Sequence, residues 1–288
     1  MSGSSRKREL PVARLQAPES EKLEIDLLLE GVFRCYGFDF RNYAPASLKR
    51  RIWQAIREEN LTTIAAFHEK ILRDQACMER FAFTLAINVT SMFRDPSFYR
   101  VFRERVVPRL RTYPFVRIWL AGCSSGEEVY SMAILLDEEG IYERCRIYAT
   151  DMSQEVISRA RTGIYALARM KEYTINYQQA GGSCSFSDYY TARYEKAVFR
   201  QGLKKNVVFA VHNLVTDASF NEFNVIFCRN VMIYFNRTLQ EHVYGLFHES
   251  LSTFGYLGLG SKESLVFDPW ASCYEAVDDR EQLYRRVR

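Results

Sequence analysis

Residues 116–128 read VRIWLAGCSSGEE, and this stretch decides the fold of the larger part of the chain. It begins with a mostly apolar run, Val116–Ala121, that favours a buried strand, and it continues into a short loop with Gly122 and Gly126. Residues 127–137 then have the apolar spacing of a helix. A buried strand, a glycine-containing loop and a helix form the start of a βαβ unit, so the sequence predicts an α/β domain here.

The alternation of strands and helices continues towards the carboxyl terminus. Residues 146–150 form a second predicted strand, which ends at Asp151. Asn236 and Gly255 are expected to begin and end a long helix. Further strands are predicted at residues 207–211, 225–228, 256–260 and 282–287. This pattern predicts an α/β fold with a doubly wound, mostly parallel sheet.

The rest of the chain predicts three further parts. Residues 1–20 are polar and basic and are predicted to be a mobile tail. Residues 21–107 show only helical spacing and predict a helical N-terminal domain, in which Asp95-Pro96 begins the last helix with Asp95 as its cap. Residues 108–288 form the α/β domain, and residues 183–206 interrupt its alternation. That interruption predicts a small inserted antiparallel β-subdomain.

Composition argues against several classes of protein. The 288 residues contain no apolar run near the ~20 that a membrane-spanning helix needs, and the amino terminus has no apolar signal segment. The net charge of +4 is too small to predict a nucleic-acid partner. Seven cysteines without a CxxC pair indicate reduced thiols in the cytoplasm. Four histidines without HExxH spacing predict no metal site.

The glycine-containing loop and Asp151 together indicate a cofactor that contains adenosine. Ligands of doubly wound sheets lie beyond the carboxyl ends of the strands, where glycines let the backbone approach them. Asp151 follows Gly126 by 25 residues, at a position where an acidic side chain accepts hydrogen bonds from ribose hydroxyls. The loop lacks the lysine of a P-loop. The carboxylate of Glu127 suits the cationic groups of S-adenosylmethionine better than a pyrophosphate.

Three further segments place polar residues next to strands or helices: NVTSMFRD at 88–95, HNL at 212–214 and CRNVMIYF at 228–235. Taken singly, each polar residue is equally well explained as a turn or capping residue. Together with AGCSSGEEVYSMA and ATDMS, and in the same order, the segments resemble the chemotaxis-receptor glutamate methyltransferases, the CheR family. The resemblance extends over about residues 21–288, and CRNVMIYF is its most specific part.

The resemblance implies a cytoplasmic enzyme that uses S-adenosylmethionine to methylate glutamate side chains on chemoreceptor cytoplasmic helices. Tyr234 would face the transferred methyl group, and Arg94 could orient the acceptor, so both are candidate catalytic residues. Glu127 would hold the methionine end of the cofactor, with Glu128 as the less favoured choice. The cofactor-binding residues that the resemblance implies are Asn88, Thr90, Arg94, Glu127, Asp151, Asn213, Leu214, Arg229 and Asn230.

A basic helix in the N-terminal domain is a candidate receptor-binding surface. Lys49, Trp53 and Arg57 share one face at i, i+4 and i+8 spacing, and Arg50 lies beside them. We therefore expect Lys49, Arg50 and Arg57 to contact acidic receptor helices. A solvated helix face explains the same pattern equally well.

Two alternatives to receptor methylation remain open. One is an S-adenosylmethionine methyltransferase that acts on RNA or a small molecule, which would have a different acceptor pocket. The other is a cofactor-binding adaptor without turnover, which would have an incomplete cofactor site. The favoured function needs no general base, because a glutamate side chain with a pKa of ~4.3 is already a carboxylate at neutral pH.

Overall fold

The computed structural model describes residues 17–36, 38–85, 90–265 and 269–288. The N-terminal domain consists of helices α1 (Ala17–Tyr36), α2 (Pro45–Glu58), α3 (Ile64–Arg73) and α4 (Gln75–Leu85). The helices bury one shared core, in which Ile52 of α2 and Phe67 of α3 pack with Phe81 of α4. The predicted helical N-terminal domain is therefore confirmed.

The first helix begins earlier than the sequence predicted. α1 starts at Ala17, so the predicted tail of 1–20 is wrong over its last four residues. Pro18 lies in the first turn of α1, where a helix does not use the backbone N–H that proline lacks. This proline is therefore no sign of a loop. Residues 1–16 lie outside the described residues, and the tail stays a prediction there.

One charged cluster joins the end of α2 to α3 and α4. The carboxylate of Glu59 accepts hydrogen bonds from Nε and Nη2 of Arg80, at 2.6 and 3.0 Å, and forms an ion pair with Lys70 Nζ at 2.7 Å. The hydrogen bonds from Arg80 and then from Lys70 lower the pKa of Glu59 to about 2. We call this group the Glu59 cluster.

Short helical segments lead from the N-terminal domain into the sheet: α5 (Pro96–Val101), a π-helical turn (Phe102–Val106) and α6 (Val107–Leu110). Pro96 begins α5 as predicted, but the expected capping by Asp95 is wrong. Asp95 has a left-handed backbone with φ of 55°, and its side chain makes no capping hydrogen bond. A capping residue typically has an extended backbone, which Asp95 lacks, and its Oδ2 instead lies 2.9 Å from Nη2 of Arg229.

The central sheet consists of β1 (Val116–Ala121), β2 (Cys145–Asp151), β6 (Val207–Val211), β7 (Phe223–Cys228), β8 (Leu251–Leu259), β9 (Tyr274–Asp278) and β10 (Leu283–Arg286). Their spatial order is β6-β2-β1-β7-β8-β10-β9. The pairs from β6 to β8 are parallel, and β10 is antiparallel to β8 and β9. The predicted doubly wound, mostly parallel α/β fold is confirmed.

The main helices of this domain are α7 (Glu127–Glu138), α8 (Gln154–Thr162) and α10 (Arg237–Ser250). Asn236 caps α10 as predicted, because its side chain accepts a hydrogen bond from the N–H of Leu239. The expected helix end at Gly255 is wrong, since the chain is already extended at Leu251. Gly255 lies inside β8, whose buried residues continue the sheet.

A second, three-stranded antiparallel sheet is inserted between α8 and β6. It consists of β3 (Ile164–Ala166), β4 (Tyr190–Arg193) and β5 (Lys196–Phe199) in the order β3-β5-β4, and α9 (Met170–Gln179) lies between β3 and β4 in the chain. The predicted β-subdomain is confirmed, but it begins at about residue 164 and not at 183. A strand of three residues is too short to show an alternating pattern, so β3 left no signal.

The N-terminal domain contacts the edge of the main sheet where the strands end. Tyr43 forms an antiparallel bridge with Phe235, and the N–H of Ala44 donates to the carbonyl oxygen of Tyr234 at 2.7 Å. The N–H of Asn236 donates in turn to the carbonyl oxygen of Asn42 at 2.7 Å. These contacts place the CRNVMIYF segment between the two domains.

Residues 17–36, 38–85, 90–265 and 269–288 include no helix that is long and apolar enough to cross a membrane. In the same ranges, no three His, Cys, Asp or Glu side chains come together in a way that could hold a metal ion. All seven cysteines lie in these ranges, and none forms a disulfide.

Candidate active site

A cleft opens where the carboxyl ends of β1, β2, β6 and β7 face the N-terminal domain. It encloses about 960 Å³ of space, including the part that opens to solvent. The residues proposed from the sequence that line the cleft are Thr90, Arg94, Asp151, Asn213, Leu214, Arg229, Asn230 and Tyr234. The proposed residues that lie away from its wall are Glu127, Lys49, Arg50 and Arg57. Asn88 lies outside the described residues.

The floor of the cleft is the loop after β1 together with Asp151 at the end of β2. Gly122 has φ of 77°, and a Cβ there would lie 2.5 Å from Cγ2 of Val231, so the loop needs glycine at this point. Asp151 is buried; its Oδ2 accepts the N–H of Ser124 at 3.0 Å and its Oδ1 accepts the N–H of Ser153 at 3.3 Å. Burial raises the pKa of Asp151 although these N–H groups oppose the shift. Each oxygen keeps a lone pair with which it can accept a ligand hydroxyl.

Glu127 is not among the residues that line the cleft, and its expected place at the methionine end of the cofactor stays a prediction. Its carboxylate is fully buried and accepts Nη1 of Arg169 at 3.0 Å, the hydroxyl of Tyr173 at 3.2 Å and the hydroxyl of Ser125 at 2.7 Å. Nη2 of Arg169 also donates to the carbonyl oxygen of Thr90 at 2.6 Å. Glu127 therefore connects α9, through Tyr173 and Arg169, to the chain at Thr90, which lines the cleft.

Glu128 lines the cleft in place of Glu127. Successive residues of a helix point about 100° apart, so the two carboxylates at the start of α7 cannot face the same way. Oε1 of Glu128 accepts Nη1 of Arg229 at 3.0 Å. The sequence gives no sign of which glutamate faces the cleft, because both occupy the first turn of the same helix.

Arg229 is buried at the centre of an ion-pair network. Its Nη2 donates to Oδ2 of Asp95 at 2.9 Å and to the carbonyl oxygen of Arg94 at 3.0 Å, and its guanidinium lies 4.2 Å from the ring centroid of Phe98. Two carboxylates thus flank one guanidinium, since Glu128 contacts Nη1. The network keeps one net negative charge beside the cleft, which favours a cationic ligand group.

A buried guanidinium packs against Tyr234, one of the residues that line the cleft. The guanidinium of Arg51, from α2, lies 4.4 Å from the ring centroid of Tyr234 and donates through Nη1 to the carbonyl oxygen of Leu85. Burial raises the pKa of the Tyr234 hydroxyl, and the charges of Arg51 and Arg94 act against that rise. Arg51 was missed in the sequence because it stands in a basic run. Its spacing from Leu48 and Ala55 in the buried stripe of α2 was the available signal.

The basic face of α2 divides into two parts. Nζ of Lys49 lies 2.5 Å from Glu21, and Nε1 of Trp53 donates to the same carboxylate at 2.9 Å, so both hold α1 in place. Arg50 and Arg57 are exposed. Of the three residues expected to contact a receptor, Arg50 and Arg57 are therefore the two whose side chains do not connect α2 to α1.

A mostly apolar wall completes the cleft at the ends of β2 and β6. Leu214 is buried, and Met152 and Val215 lie beside it. Oδ1 of Asn213 accepts the N–H of Val215 at 3.0 Å and closes the turn that holds them. His212 also lines this wall and was not singled out in the sequence.

Two family descriptions match the chain. The CheR methyltransferase all-alpha domain matches residues 23–85, and the CheR methyltransferase SAM-binding domain matches residues 88–277. The chain belongs to the CheR methyltransferase family. The two matches lie on the helical N-terminal domain and on the domain that holds the cleft, so this CheR methyltransferase uses S-adenosyl-L-methionine.

Several bacterial proteins are similar over most of their length. A Pseudomonas putida protein named as the methyltransferase Cher3 is 47% identical over 264 residues, which are 92% of this chain and 97% of that protein. A chemotaxis protein methyltransferase of Salmonella typhimurium is 35% identical over 81% of both chains. One of Listeria monocytogenes is 32% identical over 82% of this chain and 87% of its own.

The chemistry of the cleft fits S-adenosylmethionine. The buried carboxylate of Asp151 can accept hydroxyl groups, and the acidic network at Glu128 favours an ammonium or a sulfonium. The wall at Leu214 and Met152 offers an apolar surface for an adenine ring. All three requirements are met at one edge of the sheet, where ligands of this fold bind.

Proposed function

We propose that this CheR methyltransferase transfers the methyl group of S-adenosylmethionine to glutamate side chains on the cytoplasmic helices of chemoreceptors. The observation that carries the proposal is the positive charge around Tyr234, which comes from Arg94 in the cleft and from Arg51 buried against the ring. Arg51 stacks on Tyr234, and Arg94 lines the same cleft, so a carboxylate that enters beside Tyr234 meets positive charge. Relatives named as chemotaxis protein methyltransferases support the same acceptor class.

In this proposal the cofactor is held at the acidic and apolar walls. Asp151 accepts the ribose hydroxyls, Glu128 takes the ammonium of the methionine end, and Asn213 and Leu214 flank the adenine. Thr90, Arg94 and Asn230 complete the contacts, and Arg229 acts by fixing Glu128. Asn88 retains the cofactor role that the family resemblance implies.

The chain's task in the reaction is alignment and exclusion of water. When bound, S-adenosylmethionine supplies a methyl group on a good leaving group. The acceptor carboxylate is ionised at neutral pH and needs no base. Arg94 and Tyr234 hold it in line with the methyl group, and orientation of this kind lowers a barrier by up to ~7–11 kcal/mol.

Receptor helices would reach the cleft along α2. Arg50 and Arg57 are exposed on that helix, and the charge of Arg50, like those of Arg51 and Arg94, acts against the burial that raises the pKa of the Tyr234 hydroxyl. We propose that these two arginines contact acidic residues of the receptor helix while its glutamate enters the cleft. A receptor partner of this kind places the enzyme in the cytoplasm.

The test measures binding and transfer separately. Calorimetry with S-adenosylhomocysteine reports on the cofactor site, and transfer of tritiated methyl groups onto receptor-containing membranes reports on the acceptor. Base-labile label on receptor glutamates is the expected result. Cofactor binding with label on RNA or a small molecule and none on receptors would contradict the proposed acceptor, and binding with no transfer to any acceptor would indicate an adaptor.

A further inference from the structure

A buried carboxylate outside the proposed cofactor contacts holds one wall of the cleft. Glu263 follows β8, and only 5% of its surface is exposed. Its Oε2 accepts the N–H of Gly260 at 2.6 Å and that of Asn230 at 2.9 Å. Its Oε1 accepts the N–H of Val231 at 2.9 Å and that of Met232 at 2.8 Å. Four backbone donors therefore converge on one side chain.

Three of these donors belong to consecutive residues, Asn230 to Met232. Consecutive N–H groups can point at one anion only if the backbone is tightly curled, and Asn230 has a left-handed φ of 61°. On its other side, Val231 presses against Gly122, where any Cβ would clash. The segment is thus fixed between the loop after β1 and the carboxylate of Glu263.

The charge of Glu263 is balanced by these backbone groups. Within the part of the chain that the structure describes, no lysine or arginine forms an ion pair with it. Burial raises its pKa, and the N–H groups of Asn230 and Gly260 act against that rise. Because Glu263 is buried and forms no such ion pair, the hydrogen bonds from the four backbone N–H groups are the main interaction of its carboxylate.

We propose that Glu263 is a positioning residue for the cofactor wall of the cleft. It fixes the backbone at residues 230–232, and that backbone sets where Arg229, Asn230 and Val231 meet the ligand. The inference rests on the proposed placement of S-adenosylmethionine in this cleft and does not depend on the methyl acceptor.

Glu263→Gln tests this role because glutamine has the same size as glutamate but carries an NH2 group in place of one carboxylate oxygen. That NH2 group is a donor, so it cannot accept a hydrogen bond from the backbone N–H groups that it faces. We expect the dissociation constant for S-adenosylhomocysteine, measured by calorimetry, to rise by about tenfold or more, because a loosely held site loses binding contacts. Thermal unfolding is measured alongside.

Glu138→Gln is the matched control. Glu138 is another buried carboxylate with several donors, among them the N–H of Ser183 at 3.0 Å and the hydroxyl of Tyr189 at 3.1 Å, and it lies away from the cleft. It should lose thermal stability as Glu263→Gln does, yet keep its affinity for S-adenosylhomocysteine. Equal losses of affinity in the two variants would mean that Glu263 is only structural.

Asp151→Ala separates failure of this inference from failure of the cofactor placement. If Asp151→Ala weakens binding and folded Glu263→Gln does not, Glu263 has no positioning role. If neither variant weakens binding, the cofactor does not occupy this cleft.

Amide hydrogen exchange in the wild-type protein keeps the inference testable if Glu263→Gln does not fold. The amides of Asn230, Val231 and Met232 lie in an irregular segment but should exchange slowly, because Glu263 accepts all three. Exchange of these amides at the rate of an open loop would overturn the inference.

Discussion

We propose that Glu128 holds the cationic end of the cofactor, and the pair Glu128→Gln and Glu127→Gln tests that assignment. Both substitutions remove one negative charge from the first turn of α7 and keep the volume of the side chain. They differ in the direction in which the side chain points. Glu128 lines the cleft, whereas Glu127 faces Arg169 and Tyr173.

The size of the stability effect follows from the network at Arg229. Opposite charges at the observed 3.0 Å attract by about 5–6 kcal/mol at an effective dielectric constant of ~20. Glu128→Gln also removes the cost of taking this carboxylate partly out of water, and Asp95 still forms its ion pair with Arg229. We therefore expect a net loss of about 1–3 kcal/mol, less than the ~3–5 kcal/mol of a buried pair left without any partner.

The effect on binding should be larger for Glu128 than for Glu127. A hydrogen bond to a charged group contributes about 1.5–3 kcal/mol, so Glu128→Gln should raise the dissociation constant for S-adenosylhomocysteine by roughly 10- to 150-fold. Glu127→Gln acts on the cleft indirectly, through Arg169 and the backbone of Thr90 and through the hydroxyl of Ser125, and a change below about threefold is expected. Calorimetry on folded variants measures both. The reverse order of affinities would refute the assignment and restore Glu127 as the cofactor ligand.

Three further predictions concern the receptor surface, the acceptor wall and the acid stability of the helical domain. Substitution of both Arg50 and Arg57 by glutamate should slow receptor methylation, since like charges then meet at the interface, and should leave affinity for S-adenosylhomocysteine unchanged. Lys49→Glu is the control, because Lys49 faces α1. Equal methylation rates in all variants would mean that this face of α2 contacts only solvent. Arg94→Lys should lower turnover, because lysine lacks the planar guanidinium that forms two parallel hydrogen bonds with a carboxylate. A fall in cofactor affinity would show that Arg94 contacts the cofactor, and lower turnover with unchanged affinity would show that it contacts the acceptor. Normal turnover would exclude both roles. The Glu59 cluster lowers a carboxyl pKa from 4.5 to about 2, so its stabilisation is complete above pH ~4.5 and disappears as the pH falls towards 2. Glu59→Gln should lower the melting temperature at pH 7 and flatten its dependence on pH in that window.

Long elements were predictable from the sequence because burial leaves a periodic pattern. β1 is apolar at five of its six positions and was predicted at its observed bounds, as was β6. β3 is only three residues long and carried no pattern, so the inserted subdomain was predicted to begin too late. Pro18 suggested a loop, although a proline in the first turn of a helix costs no hydrogen bond.

Site residues were predictable from the sequence where their position at the end of a strand fixes their location in the fold. Asp151 ends a parallel strand, so the topology alone carries it to the ligand edge of the sheet. The direction of a side chain on a helix and contacts between distant segments are not encoded in this way. Glu127 was preferred over Glu128 for that reason, and Glu263 gave no signal because three of its four partners lie 31 to 33 residues earlier in the chain.

The cleft contains both a carboxylate, Glu128, and a cation, Arg94, and the proposed reaction gives this arrangement a physical reason. A carboxylate and a sulfonium react to give a neutral ester and a neutral thioether, so charge disappears as the reaction proceeds. Water stabilises the separated charges more than the products, and its exclusion therefore favours transfer. In the proposed reaction, the acidic network at Glu128 and the positive charge at Arg94 and Arg51 replace water as the partners of the two reacting charges. They hold each charge at its own side of the cleft, so the chain needs no acid or base of its own to promote the reaction.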